Sequence, residues 1–185
     1  MPHVPSPYYP TGDAAIHQRA MVFIDGTNLF YRLASAKLKL LSLSQVLKNF
    51  IGSRQIVRVY LYTSEPHYKK AVGIHGDSIV NGVRVVFGEA IPAPGGNFKE
   101  KGVDALLVAD LVYHAAAKNC EYALVVSTDQ DFAHALERVE DFGCRTAVLS
   151  FCSELPALLQ QAADDVFIAE RSDLLQWGWA EENAA

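Results

Sequence analysis

Short apolar runs alternate along the chain with stretches whose apolar positions recur at helical spacing. Met21-Val22-Phe23-Ile24 is the first continuous apolar run, and Leu29, Phe30 and Leu33 follow at the spacing of one helical face. Ser44 is placed to cap a further helix carrying Val46, Leu47, Phe50 and Ile51, which Gly52 stops. Residues 56–62 make a second strand. Pro66 suits the first position of a helix, and the weakly helical segment 67–81 is interrupted by Gly73 and Gly76. Residues 83–87 form a third strand, and 91–97, dense in Pro and Gly, read as a loop. Residues 99–104 then open a helix carrying Val103, Leu106, Leu107, Leu111 and Val112. A strand at 122–126 precedes a helical face made of Phe132, Ala133, Leu136 and Val139. After it come a strand at 146–149, a helix over 153–163 and a short strand at 166–168.

Strands separated by helical stretches indicate an α/β protein with a central, mostly parallel sheet and helices on both faces. Residues 1–20 contain Pro2, Pro5, Pro7 and Pro10 and too few periodic apolar positions to pack, so they read as a tail. Residues 21–170 form one domain, and 171–185 are expected to be a C-terminal helix or tail. There is no internal repeat.

A chain of 185 residues buries roughly 70% of its unfolded surface and needs no disulfides to hold a core. Its three cysteines, Cys120, Cys144 and Cys152, form no C-x-x-C pair, and their odd number argues against a secreted disulfide framework. No apolar run approaches the roughly 20 residues of a membrane span. The expected setting is therefore the cytoplasm, without a membrane partner; a homodimer is an admissible assembly. The net charge of -5 conceals an asymmetry. Residues 1–101 hold 12 Lys/Arg against 6 Asp/Glu, and residues 102–185 hold 4 against 15. A basic half could hold a phosphate backbone while an acidic half binds a metal, although charge blocks are often only solvated surface.

The carboxylates have a pattern of their own. Asp25, Asp104 and the pair Asp129 and Asp131 each stand where a strand ends or a helix begins. In a parallel sheet these positions converge on one edge, where ligands bind. A single Asp there is explained by helix capping alone. A cluster of them repels itself unless a cation compensates, and hard oxygen donors suit Mg2+ or Mn2+ better than Zn2+. Asn28, Ser127 and Thr128 could orient a water or a carboxylate, and Lys101 could clamp a phosphate; Asn28 and Thr128 could equally be caps and Lys101 a loop charge. Lys69 and Lys70, in a segment with Tyr68 and His75, are candidates for substrate contact.

Phe23-Ile24-Asp25-Gly26-Thr27-Asn28, Lys101-Gly102-Val103-Asp104 followed by Asp110, and Ser127-Thr128-Asp129-Gln130-Asp131-Phe132 resemble, in order, the three motifs of the NYN domain, a branch of the PIN-like nuclease group. The resemblance spans roughly residues 21–168. It implies a Rossmann-like PIN fold and a divalent-metal-dependent ribonuclease acting on RNA, expected to be single-stranded. By motif match Asp25, Asp104 and Asp129 would bind the metal, with Asp131 and Asn28 close to them. Asp110 falls on a different helical face from Asp104 and is assigned a supporting role. The family often has a small residue where this chain has Thr128.

Three other chemistries fit less well. Ile24-Asp25-Gly26-Thr27 partly resembles the first motif of haloacid dehalogenases, but the nucleophilic Asp of that motif is replaced by Phe23. No G-x-G-x-x-G follows the first strand, which removes a dinucleotide-binding reading. A thiol enzyme would need a Cys and His partnership, and Cys144 at the start of a buried strand suits an apolar role. The remaining alternative is a catalytically silent RNA-binding or regulatory scaffold on the same fold.

Overall fold

A computed structural model describes residues 17–183 of the chain. Most of the expected N-terminal tail, residues 1–16, lies outside the described residues. Seven strands form the main sheet in the order β5-β4-β3-β1-β6-β7-β8. They are β1 (Arg19–Asp25), β3 (Gln55–Ser64), β4 (Arg84–Ala93), β5 (Asn97–Lys101), β6 (Tyr122–Val126), β7 (Arg145–Phe151) and β8 (Asp165–Ala169). Every neighbouring pair is parallel except β4 and β5. The protein is thus the expected α/β fold.

The central strand explains the two layers. From Ala20 onward β1 is buried without a break, so both of its faces need cover. Val22 and Ile24 point to one core, shared with Leu29 and Leu33 of helix α1 (Gly26–Ser35) and with Val46, Leu47 and Phe50 of α2 (Leu43–Ile51). Met21 and Phe23 point to the other, shared with Leu107 and Leu111 of α4 (Val103–Ala116) and Leu136 and Val139 of α5 (Ala133–Asp141). Alternation along one strand therefore divides the apolar residues between two helical layers.

Between β3 and β4, helix α3 (Glu65–His75) runs through Gly73 and ends at Gly76, and a short 3-10 turn, Asp77–Val80, follows. Pro66 sits one position deeper than the expected first position, because the helix already begins at Glu65. The C-terminal helices are α6 (Ala157–Ala162) and α7 (Arg171–Gln176); Pro156 sets the start of α6, four residues later than its apolar pattern predicted.

Three local expectations fail for identifiable reasons. The cap of α2 is Ser42, whose Oγ accepts from the Gln45 amide at 3.4 Å, and Ser44 lies inside the helix. The stretch 91–97 is mostly not a loop: β4 continues through Pro92 to Ala93, and a turn over Pro94–Gly96 returns the chain as antiparallel β5. Pro92 is tolerated because β3 pairs with β4 only as far as Gly88, so no strand on that side needs its missing N–H. Residues 99–101 consequently belong to a strand, and the helix starts only after Gly102, whose φ of +77° reverses the chain. A two-stranded ribbon of β2 (Leu38–Leu40) and β9 (Ala180–Glu182) was not foreseen. Leu174 and Ala180 are buried in the α1/α2 core, so the C-terminal segment packs against the sheet layers.

Among the described residues no helix is long and apolar enough to cross a membrane. Cys120, Cys144 and Cys152 are free thiols.

One glycine is set by close approach. A Cβ on Gly26, at the junction of β1 and α1, would lie 2.8 Å from the Tyr62 carbonyl oxygen of β3. Gly26→Ala must push α1 off the sheet, with an expected loss of about 1–3 kcal/mol in chemical denaturation; unchanged stability would show that the junction yields freely.

Candidate active site at the carboxyl edge of the sheet

Strands β3, β1 and β6 are adjacent and parallel, so their carboxyl ends, at Ser64, Asp25 and Val126, open on one edge. Asp25 is the centre of that edge and is only 6% exposed. Its Oδ1 accepts the Asn28 amide at 3.0 Å, which makes it the N-cap of α1. Its Oδ2 accepts the Ser127 hydroxyl at 2.9 Å, across 102 residues of sequence. Ser127 Oγ accepts in turn from the Asp129 amide at 3.0 Å. One serine therefore holds two carboxylate-bearing residues in register.

Asn28 and Thr128 make a second bridge between the same two loops. The Asn28 amide group donates to Thr128 Oγ1 at 2.9 Å, and its Oδ1 accepts the Thr128 N–H at 3.2 Å. Arg32, one turn further along α1, donates to Thr128 Oγ1 at 2.8 Å, while its own Nε is buried without a hydrogen-bond partner. Sequence reasoning did not single out this arginine, although the i, i+4 spacing from Asn28 puts it on the same helical face. Ser127 and Thr128 are both buried with their hydroxyls engaged by protein groups, so neither faces a substrate directly; Ser127 orients the Asp25 carboxylate instead.

Asp129 caps the 3-10 turn Gln130–Phe132 by accepting the Asp131 amide at 3.0 Å, and Asp131 is exposed. Asp104 lies on the first turn of α4, open to solvent. Electrostatics tie the group together. Burial pushes the Asp25 carboxyl up to about 6; the bonds from Asn28 and Ser127 oppose this, and the charges of Asp104 and Asp129 add to it. Asp104 is also held above the usual carboxylate range, first by partial desolvation and then by Asp129, Glu100 and Asp131. No salt bridge neutralises Asp25, Asp104, Asp129 or Asp131 among the described residues.

Glu100 is the carboxylate that sequence reasoning missed. It accepts from the Thr27 hydroxyl, from the Thr63 hydroxyl at 3.2 Å and from the Ser64 amide at 2.6 Å, and His67 Nδ1 stands 3.3 Å away. The β4–β5 hairpin thus reaches over the ends of β1 and β3 and ties them together. Taking 99–104 as a helix start hid this role; as a strand, its alternation turns Glu100 inward between exposed Lys99 and Lys101.

The lysines are more dispersed. Lys69 is paired with Glu65 at 2.7 Å on the exposed side of α3, and Lys70 lines a groove that also contains Thr27. Lys101 closes β5 beside Phe87, Glu89 and Leu106, three residues before Asp104. Asp110 accepts the Tyr62 hydroxyl at 2.9 Å, the supporting position its helical face implied. Among the described residues no three His, Cys, Asp or Glu side chains already stand as a metal-binding group.

No curated protein matches the sequence. Among solved structures, a protein of unknown function from Vibrio parahaemolyticus is similar, with a TM-score of 0.67 at 18% identity, over 83% of this chain and 94% of that one. At that identity the likeness concerns the fold alone. The NYN domain family matches residues 19–173, which include β1 with Asp25, the start of α4 with Asp104, and the turn with Asp129. NYN domains are generally nucleases of the PIN-like group that act on RNA. The chain belongs to the NYN domain family.

Proposed function

We propose that the protein is a divalent-metal-dependent ribonuclease that hydrolyses phosphodiester bonds of single-stranded RNA at the edge formed by Asp25, Asp104 and Asp129. The observation that carries this reading is the concentration of carboxylates on one sheet edge, with no salt bridge to Asp25, Asp104, Asp129 or Asp131 among the described residues. The donor set fits a hard cation: Asp25, Asp104 and Asp129 would hold Mg2+ or Mn2+, with water completing the shell. A bound ion of this kind supplies polarisation of the phosphodiester and an acidified water. The chain's own groups do the positioning. Ser127 and Asn28 fix the Asp25 carboxylate and the Thr128 loop, Asp131 adds negative charge beside Asp129, and the Arg32 guanidinium and Lys101 are cations near the edge for phosphate oxygens.

The second reading, a catalytically silent RNA-binding scaffold, is favoured by the absence of a preassembled three-ligand group among the described residues. Cleavage of unstructured RNA with Mg2+ or Mn2+ separates the two. The ribonuclease reading expects turnover that EDTA abolishes and that falls on the order of 100-fold or more in Asp25→Asn and Asp129→Asn. Equal cleavage by the native protein and both variants would sink it, and RNA retained without cleavage would favour the scaffold.

Asp25 also offers a test without turnover. Its folded-state pKa is raised, so the protonated carboxyl stabilises the fold; that contribution is complete below about pH 4 and is lost as pH rises through about 6. Asp25→Asn should therefore gain about 1–3 kcal/mol over the native protein at neutral pH in EDTA, a gain that vanishes in acid. Added Mg2+ or Mn2+ should raise the melting temperature of the native protein and leave the variant's unchanged. A variant less stable than the native protein at neutral pH would remove buried charge as the source of strain at this edge.

For the basic side, Lys70→Ala should weaken RNA binding and lower the salt slope by about 0.7, as for one phosphate contact on a single strand. Lys69→Ala should do less, because Lys69 is already paired with Glu65. An unchanged slope in both variants would take α3 out of the RNA footprint.

A further inference from the structure

A groove between α1 and α3 has Thr27, two residues after Asp25, in its lining. It encloses about 280 Å³. That volume lies just below the range of roughly 300–1,000 Å³ typical of small-molecule sites, so it suits one ring system better than an extended ligand. Phe30 and His75 stack within its wall, with ring centroids 5.4 Å apart and planes 24° from parallel, and Tyr31 stands at the rim 65% exposed.

Polar atoms are few and chemically defined. His75 Nδ1 accepts the Leu40 amide at 3.0 Å, which fixes the neutral ring as the tautomer protonated on Nε2. Burial, followed by the charge of Lys39, lowers its pKa to about 4, so the ring stays neutral at physiological pH. Nε2–H has no protein acceptor among the described residues and belongs to a side chain that lines the groove. At the other end, His67 Nδ1 contacts Ser64 Oγ at 2.7 Å, which leaves its Nε2 as the free edge of the ring. Lys70 adds an ammonium that takes part in no salt bridge among the described residues.

Continuity with the carboxylate edge selects the occupant. Thr27 lines the groove, stands two residues after Asp25 and donates to Glu100, which also meets His67. We infer that this groove is a base subsite, receiving one nucleobase of an RNA strand whose neighbouring phosphate lies at Asp25. The inference rests on the ribonuclease reading for its substrate, and on the groove for its site. The base stacks against the aromatic wall, a carbonyl oxygen or ring nitrogen accepts from His75 Nε2–H, and Lys70 meets the phosphate of the same nucleotide. Base–aromatic stacking tolerates any base; a single donor on a fixed tautomer is what turns it into a preference.

The test uses Ala34→Phe, which fills the groove from an exposed position of α1, and Tyr31→Ala, which removes the exposed ring at the rim. Binding of the four ribonucleoside monophosphates and of ribose 5-phosphate is measured by ligand-detected NMR in EDTA, with melting temperatures as the control for folding. The expected result is a nucleotide that binds the native protein at least about tenfold more tightly than ribose 5-phosphate, and that Ala34→Phe and Tyr31→Ala each weaken by about tenfold. Equal binding of ribose 5-phosphate, unchanged affinity in Ala34→Phe, or no nucleotide binding at millimolar concentration would each overturn it. Cleavage of a mixed-sequence RNA supplies a separate readout. If Ala34→Phe cuts RNA with its base preference unchanged, the subsite is wrong and the ribonuclease reading stands. If nucleotides bind in the groove but RNA is never cut, the subsite stands and the ribonuclease reading falls.

Discussion

A buried carboxylate at the end of the central strand is the constraint on which the surrounding structure depends. Asp25 loses most of its hydration, and two hydrogen bonds from Asn28 and Ser127 return only part of that loss. Each bond belongs to a different structural task. The first starts a helix, and the second clasps the neighbouring strand's exit loop. The same atoms that build the fold therefore also hold an unneutralised charge in place, at some cost in stability.

Much of this was legible in the sequence, because the strongest signals were continuous apolar runs. A strand buried on both faces cannot alternate, and Met21 to Ile24 and Tyr122 to Val126 do not; the helices declared themselves by the spacing of Leu29 and Leu33 or Leu136 and Val139. The aspartates were conspicuous because they follow such runs directly. What escaped was set by pairing rather than by period. The β2–β9 ribbon has three residues in each strand and joins segments about 140 residues apart, too short for alternation to register. The β4–β5 hairpin hid behind its own Pro and Gly content, which marks turns efficiently but says nothing about the strands on either side. Misreading that hairpin is also why Glu100 was missed, since its place at the site follows from antiparallel register. Arg32 was passed over for a related reason: its partner Thr128 lies 96 residues away.

The two helical layers divide the work around the edge. Helices α4 and α5 cover the face that Met21 and Phe23 share, and the start of α4 brings Asp104 to the rim. Helices α1 and α3 lie on the other side, and between them they leave an apolar groove rather than a packed seam. Glu100 stands at the boundary, with donors from Thr27, Thr63 and Ser64 and the His67 ring around it. Its three hydrogen-bond donors set it apart from Asp104, whose exposed carboxylate accepts no hydrogen bond among the described residues.

The bond between Asp25 and Ser127 joins residues 102 positions apart, and Asn28 and Thr128 are 100 apart. Such contacts close large loops, and on a ribosome they cannot form until residues 127 and 128 have emerged. The carboxylate edge is thus incomplete in a chain that ends before Asp131. A nascent or truncated molecule that stops short of Ser127 carries Asp25 without the loop that completes its surroundings.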